Sequence, residues 1–157
     1  MPTITKPTYK PISVVDLRRT GNEPGHCERC GRNDLRFLHT VQNCAGRKKQ
    51  VGRECAKRLC YGYRPERQER RLINLWNRRS HWLTRNWATS RNGNDTLTFK
   101  SGDDQVRVTV YEDKYAMGFW SYCITVDDEP FFPPGKFASS DEAKLAAFDR
   151  LAEAAGW

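Results

Sequence analysis

The sequence contains no long apolar run, and its N-terminal stretch offers none that would form the core of a signal peptide. Nothing in it approaches the roughly 18 consecutive apolar residues expected of a membrane-spanning helix. Internal repeats and low-complexity tracts are also missing. We therefore expect a cytoplasmic protein that does not bind membranes, in a reducing compartment where clustered cysteines favour metal binding over disulfides.

Apolar residues are scarce as well. They make up 38% of the 157 residues, while charged residues make up 29%. A chain of this length forms one domain or two small ones, and a small domain is often stabilised by a metal ion. This composition predicts two modest cores rather than a single large one.

The positive charge is concentrated in the first two thirds of the chain. Residues 1–100 carry 22 Lys and Arg against 8 Asp and Glu, a net of +14, whereas residues 101–157 carry 5 against 11, a net of −6. A basic surface attracts polyanions such as nucleic acid. We therefore expect any polyanion to bind the basic part and not the C-terminal part.

Three segments follow from the pattern of apolar, turn and capping residues, and together they predict an α+β fold. Residues 1–64 are expected to form a zinc-binding module, with a strand, a hairpin that turns near Cys44 to Arg47, and a helix directly after Gly52. Residues 65–92 are expected to form a basic amphipathic helix followed by a linker. Residues 93–157 are expected to form a β-β-β-α domain.

The predicted helix of the middle segment begins at Pro65, a residue favoured in the first helical turn. An apolar stripe at spacings of three and four predicts its buried face, and its members are Ile73, Trp76, Ser80, Leu83 and Trp87. Trp82 lies off this stripe. We therefore expect the Trp82 ring to be exposed and able to stack on a base.

The C-terminal segment alternates apolar and polar residues over Gln105–Glu112 and is rich in aromatic and β-branched residues over Phe119–Val126. An irregular edge strand is expected at 130–137, where prolines are tolerated. Ser139 and Glu142 form a capping-box pattern, and Gly156 ends the predicted final helix.

Five of the six cysteines lie between Cys27 and Cys60, and they begin with the motif Cys27-Glu28-Arg29-Cys30-Gly31. Zn²⁺ prefers four tetrahedral thiolate or imidazole ligands, and a CxxC turn supplies two of them while the following glycine relieves the backbone. Cys55 is the strongest third ligand, because a hairpin would return the chain to the CxxC turn there. The sequence therefore predicts a Zn²⁺ site.

The fourth ligand is predicted to be Cys60, with His39 as the alternative. Cys44 is less suitable, because five strand residues would place it about 16 Å away. His26, or no fourth protein ligand, remains open. A closed four-ligand site is structural, and no HExxH or HxE with PCxxC pattern is present, so we expect no enzyme activity.

The stretches "CERCG", "LRFLHTV" and "VGRECAKRL" resemble small zinc-ribbon or treble-clef modules of bacterial, plasmid and phage proteins, which carry a CxxCG turn and a downstream VGxxCA. The resemblance covers Cys27 to Cys60. It implies a treble-clef zinc finger with the order knuckle, hairpin and helix. Many such modules have a further cysteine two residues before the last one, where this chain has Arg53.

The stretch "GFWSYCITVDDEPFFPPGKFASSDEAKLAAFDRLA" resembles the three-stranded-sheet-plus-helix DNA-binding domain of plant ethylene-response factors and phage integrases. Shared features are Trp120, the "GKF" before the helix and the "S-DEAK-AAFD" pattern. The resemblance implies a sheet that enters the DNA major groove with arginines. Here the strands offer Arg107 and Lys114 among several acidic residues.

The leading hypothesis is a zinc-stabilised, non-enzymatic nucleic-acid-binding accessory protein of phage or mobile-element type, with DNA favoured over RNA. The residues predicted to contact nucleic acid are Arg47, Lys48, Lys49, Arg53, Arg70, Arg71, Arg78, Arg79 and Trp82. The alternative is a phage-type protein that binds and inhibits a host defence protein through its acidic C-terminal domain, with Phe131 and Phe132 exposed.

Overall fold

A computed structural model describes residues 8–156 of the chain. It confirms the predicted α+β class, with a three-stranded sheet, a five-stranded sheet and four helices in the described part. The chain divides into two compact units, Met1–Asn74 and Leu75–Trp157. The division therefore falls inside a helix that the sequence predicts as a separate connecting segment.

The first unit contains one antiparallel sheet and two short helices, followed by the start of a longer helix. Along the chain these elements are β1 (Tyr9–Asp16), α1 (Leu17–Thr20), β2 (Phe37–Asn43), β3 (Lys48–Val51), α2 (Arg53–Leu59) and α3 (Pro65–Trp82). Strand β2 lies at the centre of the sheet, between β1 and β3.

The β2–β3 hairpin forms as the sequence predicts. Val41 pairs with Lys49, and His39 pairs with Val51. The turn is closed by Asn43, whose Oδ1 accepts from the Arg47 amide at 2.8 Å. Gly46 adopts a φ of +80°, a left-handed conformation that other residues rarely adopt.

A small core fills the space between this sheet and α2. Its fully buried apolar members on the strands and the helix are Val41, Val51 and Ala56, and the thiols of Cys27, Cys55 and Cys60 are buried in the same cluster. With so few large side chains, this core is small for its unit. Such a core favours additional support from buried polar contacts or a metal ion.

Helix α3 begins at Pro65 as predicted but ends at Trp82, before the predicted stripe is complete. The Arg85 amide donates to the Trp82 carbonyl, so the chain turns away there, and Trp87 follows in a loop. Ile73 and Trp76 are half-buried. The stripe assumed one regular helix through Trp87, and its phase is lost where the helix stops.

The expectation that Trp82 is exposed is wrong. Its exposed fraction is 2%, and its Nε1–H donates to the Lys144 carbonyl at 2.8 Å. The ring packs edge-on against Trp87, Phe99 and Phe148 in the core of the second unit. A tryptophan held in this way cannot stack on a base.

The second unit consists of a meandering antiparallel sheet and one long helix. Along the chain its elements are β4 (Ala88–Thr89), β5 (Asp95–Ser101), β6 (Asp104–Glu112), β7 (Trp120–Val126), β8 (Glu129–Phe131) and α4 (Ser140–Ala155), and the strand order in the sheet follows the chain order. Strands β5 to β7 and helix α4 correspond to the predicted β-β-β-α layout.

Alternation along β6 places Val106, Val108 and Val110 on the buried face, against Ala147 and Phe148 of α4. The predicted cap of α4 is present, because Ser139 Oγ accepts from the Glu142 amide at 3.1 Å. Gly156 ends the helix in a left-handed conformation. The final helix is therefore fixed at both ends by the residues that the sequence indicates.

Asp95 and Lys144 form an ion pair within the second unit, with Oδ2 and Nζ 2.7 Å apart and both side chains largely shielded from solvent. Lys144 is the main cause that lowers the pKa of the Asp95 carboxyl, and the hydroxyl groups of Thr89 and Ser140 contribute as well. The carboxylate form is thus preferred in the folded state. Its stabilising effect is present above the unfolded pKa of about 3.9 and is lost as the pH falls through the lower folded pKa.

We expect Asp95→Asn to flatten the acid limb of the stability curve of the second unit. Its urea unfolding midpoint should fall less than that of the wild type as the pH drops from about 5 to about 2. Tryptophan fluorescence isolates this unit, because all five tryptophans lie at position 76 or later. The control Asp103→Asn, at an exposed turn residue, should follow the wild type. Parallel curves for wild type and Asp95→Asn would contradict the assignment.

Candidate metal centre

The CxxC turn is a tight, internally hydrogen-bonded loop. The Gly31 amide donates to the Cys27 carbonyl at 2.9 Å, and the Cys27 amide donates to the Arg32 carbonyl at 2.9 Å. Gly31 has a φ of +75°, so the glycine of the motif is required by the backbone. The turn presents the Cys27 sulfur inward, while Cys30 is exposed.

Strand β3 holds this turn in place. The Glu28 amide donates to the Gln50 carbonyl at 3.0 Å, and the Glu28 side chain accepts from the Gln50 amide. Two residues after Gln50, Gly52 leads directly into α2, where Cys55 lies in the first turn. The hairpin therefore delivers Cys55 to the CxxC turn.

Cys27, Cys30 and Cys55 form a group whose three sulfur atoms all lie within 4.8 Å of one another. In a tetrahedral zinc site with Zn–S bonds of about 2.3 Å, neighbouring sulfurs are about 3.8 Å apart. Only a small closure of the group would reach that spacing. These three cysteines could therefore hold a metal ion, as the sequence predicts for this trio.

The environment of the group favours a thiolate at Cys27. Burial raises the pKa of Cys27, but hydrogen bonds from the backbone amides of Gly52, Cys30 and Arg29 outweigh it and hold the pKa at about 7. Burial raises the pKa of Cys55, and its two neighbouring cysteines add to the increase, while a hydrogen bond from the Arg29 side chain opposes it. Metal ions bind thiolates, so metal binding would convert the remaining protonated form of the Cys27 thiol into the thiolate.

Cys60, the predicted fourth ligand, lies outside the cysteine group found in the described residues. It is buried in the small core at the end of α2, and this burial raises the pKa of its thiol. Cys44 sits exposed at the hairpin tip. His26 is exposed, and its Nδ1 lies 2.7 Å from the Asn33 Oδ1.

His39, the alternative ligand, has both ring nitrogens engaged elsewhere. Its exposed fraction is 0%, its Nε2 lies 2.8 Å from the Glu69 Oε1, and its Nδ1 lies 2.9 Å from the Tyr63 hydroxyl. Burial is the main cause that raises the pKa of Tyr63 to about 12, so its hydroxyl stays protonated and donates to Nδ1. The Nε2–H then donates to the Glu69 carboxylate.

Glu69 is the residue at this site that sequence reasoning missed. It is buried and also accepts from Arg53, whose Nε lies 2.9 Å from its Oε2. The same contact pairs Arg53, one of the cations predicted to bind phosphate, with a buried carboxylate, while 49% of the Arg53 side chain is exposed. The sequence signal for its burial is its spacing of four residues from Pro65, which places both on one face of α3. Pro65 is buried in the structure.

The other predicted cations differ in their surroundings. Arg47, Lys48 and Lys49 are exposed at the hairpin, and Arg70, Arg71 and Arg78 are exposed along α3. Arg79 is engaged with Asp149, with Nε and Oδ1 2.7 Å apart. Of the predicted set, the hairpin residues form the most compact exposed cationic group.

A cleft of about 620 Å³ adjoins the cysteine group. Cys27, Cys30 and Cys55 form part of its wall. The charged side chains along the cleft are those of Arg32, Asp34, Arg36, Arg53, Glu54 and Glu69. The group therefore meets the cleft at the exposed Cys30, while Cys27 and Cys55 have exposed fractions of 0% and 6%.

We expect Glu69→Ala to destabilise the first unit by about 2–4 kcal/mol, because it leaves the buried His39 ring without its acceptor. Hydrogen exchange of peptides covering 37–51 measures this locally. The control Glu66→Ala removes a more exposed carboxylate, 3.7 Å from the Lys57 Nζ, and should cost less than about 0.5 kcal/mol. Equal effects of the two substitutions would contradict a buried role for Glu69.

Within the described residues, no helix is long and apolar enough to cross a membrane. No protein-family model matches the chain, and comparison with curated proteins and with solved structures finds no significant match.

Proposed function

We propose that the protein is a zinc-stabilised, non-enzymatic nucleic-acid-binding protein of phage or mobile-element type. The observation that carries the proposal is the meeting of Cys27, Cys30 and Cys55 at the base of a hairpin whose opposite end bears exposed cations. In this proposal Zn²⁺ binds the three thiolates, and the knuckle, hairpin and helix α2 act as a treble clef. The metal holds the platform, and the hairpin contacts the phosphate backbone.

Charge supports this division of roles. Residues 1–74 carry 17 Lys and Arg against 7 Asp and Glu, a net of +10, whereas residues 75–157 carry 10 against 12, a net of −2. At the hairpin, Lys48 pairs with Gln42, which pairs in turn with Lys10 of β1, so one face of the sheet end presents two lysines. Such a cluster suits the closely spaced charges of a nucleic acid backbone.

Arg47→Gln, Lys48→Gln and Lys49→Gln together should weaken binding to a labelled DNA duplex at least about tenfold at low salt, because three phosphate contacts are lost. The slope of log K against log salt should become shallower by about 2 to 3. Fluorescence anisotropy with duplex DNA, single-stranded DNA and RNA measures both quantities. The proposal favours DNA.

The matched control replaces Arg18, Arg19 and Arg64, three exposed cations of the same unit, with Gln. It changes the net charge equally and should keep the wild-type salt slope. Equal losses in the two triple variants would indicate that the hairpin has no special role. Absence of binding by the wild type at about 50 mM salt would overturn the nucleic-acid proposal.

A loop of the second unit favours a second candidate function, binding to a host protein. Between β6 and β7, Tyr115, Met117 and Phe119 have exposed fractions of 96%, 88% and 49%. The loop is held in shape by Asp113, whose Oδ1 accepts from the Tyr115 and Ala116 amides at 2.8 and 3.0 Å. Rigid, exposed aromatic and methionine side chains are typical of protein-binding hot spots.

The sequence predicts that Phe131 and Phe132 are the exposed aromatic residues of this unit. Both are exposed, at 37% and 59%, and the Phe131 ring also lies under the Arg150 guanidinium at 4.7 Å. The Lys136 Nζ lies 3.2 Å from the Asp113 Oδ2. This ion pair connects the segment after Phe132 to the loop that carries Tyr115. The proposed contact surface of the second unit therefore consists of Tyr115, Met117, Phe119 and Phe132.

Tyr115→Ser with Met117→Ser should abolish retention of a host protein in a nuclease-treated pull-down from bacterial lysate, and it should leave DNA affinity unchanged. Tyr61→Ser, at a tyrosine 83% exposed in the first unit, is the control and should retain the partner. The retained protein is then purified and its affinity measured directly. Retention by the loop variant, or loss of binding after nuclease treatment, would count against this function.

A further inference from the structure

We propose that the metal held by Cys27, Cys30 and Cys55 keeps its fourth coordination position open to the adjoining cleft, where it binds a small exogenous thiol in place of water. The inference rests on the proposed metal site and adds a ligand-binding role to it. Three observations carry it: the position of Cys60, the engagement of His39 and the cleft that is lined in part by the three cysteines.

The course of α2 keeps Cys60 away from the metal. Residues of an α-helix are about 100° apart around its axis, so five positions separate the directions of Cys55 and Cys60 by about 140°. The helix is regular up to that point, because the Ala56 amide donates to the Gly52 carbonyl and the Cys60 amide to the Ala56 carbonyl, both at 2.9 Å. Cys60 therefore serves the core and not the metal.

His39 is unsuitable for a different reason. Binding a metal through either ring nitrogen would break a hydrogen bond to Tyr63 or to Glu69 in a fully buried setting. Breaking the Glu69 contact would also leave that carboxylate with Arg53 alone. A buried polar group that loses its partner costs about 1–3 kcal/mol, so the network holds the ring where it is.

The cleft supplies both space and access. Its volume of about 620 Å³ falls within the range of small-molecule sites, about 300–1,000 Å³. All three sulfur atoms belong to residues that border it, and Cys30 is exposed. A ligand can therefore approach the metal from the cleft on the side of the exposed Cys30.

The net charge of the metal site and the preference of zinc for thiolate donors determine which class of ligand binds. Zn²⁺ with four thiolates has a net charge of −2, which needs nearby cations. Arg29 already donates to the Cys55 sulfur, and Arg32 borders the cleft, whereas Arg53 is paired with Glu69. Zinc binds thiolates strongly, so a small thiol outcompetes water or a hard anion at such a position. On binding, the thiol releases its proton to solvent, its sulfur bonds to the metal, and the bound water leaves.

Cobalt substitution tests this on the full chain, with a phosphine as reductant so that no other thiol is present. The near-ultraviolet sulfur-to-cobalt absorption counts the thiolates bound to Co²⁺. We expect wild type and Cys60→Ala to give equal intensities, and Cys55→Ala to give about two thirds as much, because two thiolates remain of three. Added 2-mercaptoethanol should raise the wild-type intensity by about one third, after correction for Co²⁺ with the thiol alone.

Several results would overturn the inference. A lower intensity in Cys60→Ala, with no response of the wild type to the thiol, would make Cys60 the fourth ligand and leave the proposed metal site intact. Equal intensities without a thiol response would indicate an internal oxygen or nitrogen donor, such as Glu54 or His26. Absence of cobalt absorption in the wild type would overturn the metal site itself. The thiol response of the wild type decides the matter even if Cys60→Ala does not fold.

Discussion

The antiparallel pairing of β2 with β3 is the constraint on which the first unit depends. It returns the chain to the CxxC turn, and the exchange of hydrogen bonds between Glu28 and Gln50 fixes the turn against the returning strand. Gly52 then begins α2 with Cys55 in its first turn. Without this pairing, nothing would hold together the two ends of the 24-residue stretch between Cys30 and Cys55.

The second constraint is the buried hydrogen-bond network of His39, which lies on the same strand β2. The strand that carries the hairpin also carries this histidine, and Glu69 of α3 reaches it while accepting from Arg53 of α2. One carboxylate thus joins a strand and two helices. In a unit with a small apolar core, such a satisfied buried network also specifies a single arrangement of the elements, because any shift would leave a polar group unpaired.

Local signals in the sequence predicted local structure well. The stretch from Cys44 to Arg47 predicted the hairpin turn, Pro65 the start of α3, and Ser139 with Gly156 the ends of α4, because turns and caps depend on neighbouring residues. The trio of Cys27, Cys30 and Cys55 followed from the hairpin.

Features that depend on distant residues could not be predicted in this way. Trp82 is buried because Phe99 and Phe148 surround it, and Glu69 is buried because His39 and Arg53 satisfy it. Nothing within a few residues of either position indicates these partners. The ion pairs of Arg53 and Arg79 could not be predicted for the same reason, since their acidic partners lie 16 and 70 positions away along the chain.

The unequal burial of the three cysteines has a consequence for exchange kinetics. Cys27 and Cys55 are enclosed, whereas Cys30 stands at the rim of the turn. A metal ion held by these sulfurs would be lost stepwise, with the Cys30 bond opening first and the two enclosed bonds following. The residence time of the ion would therefore depend on how readily an incoming donor displaces the Cys30 sulfur.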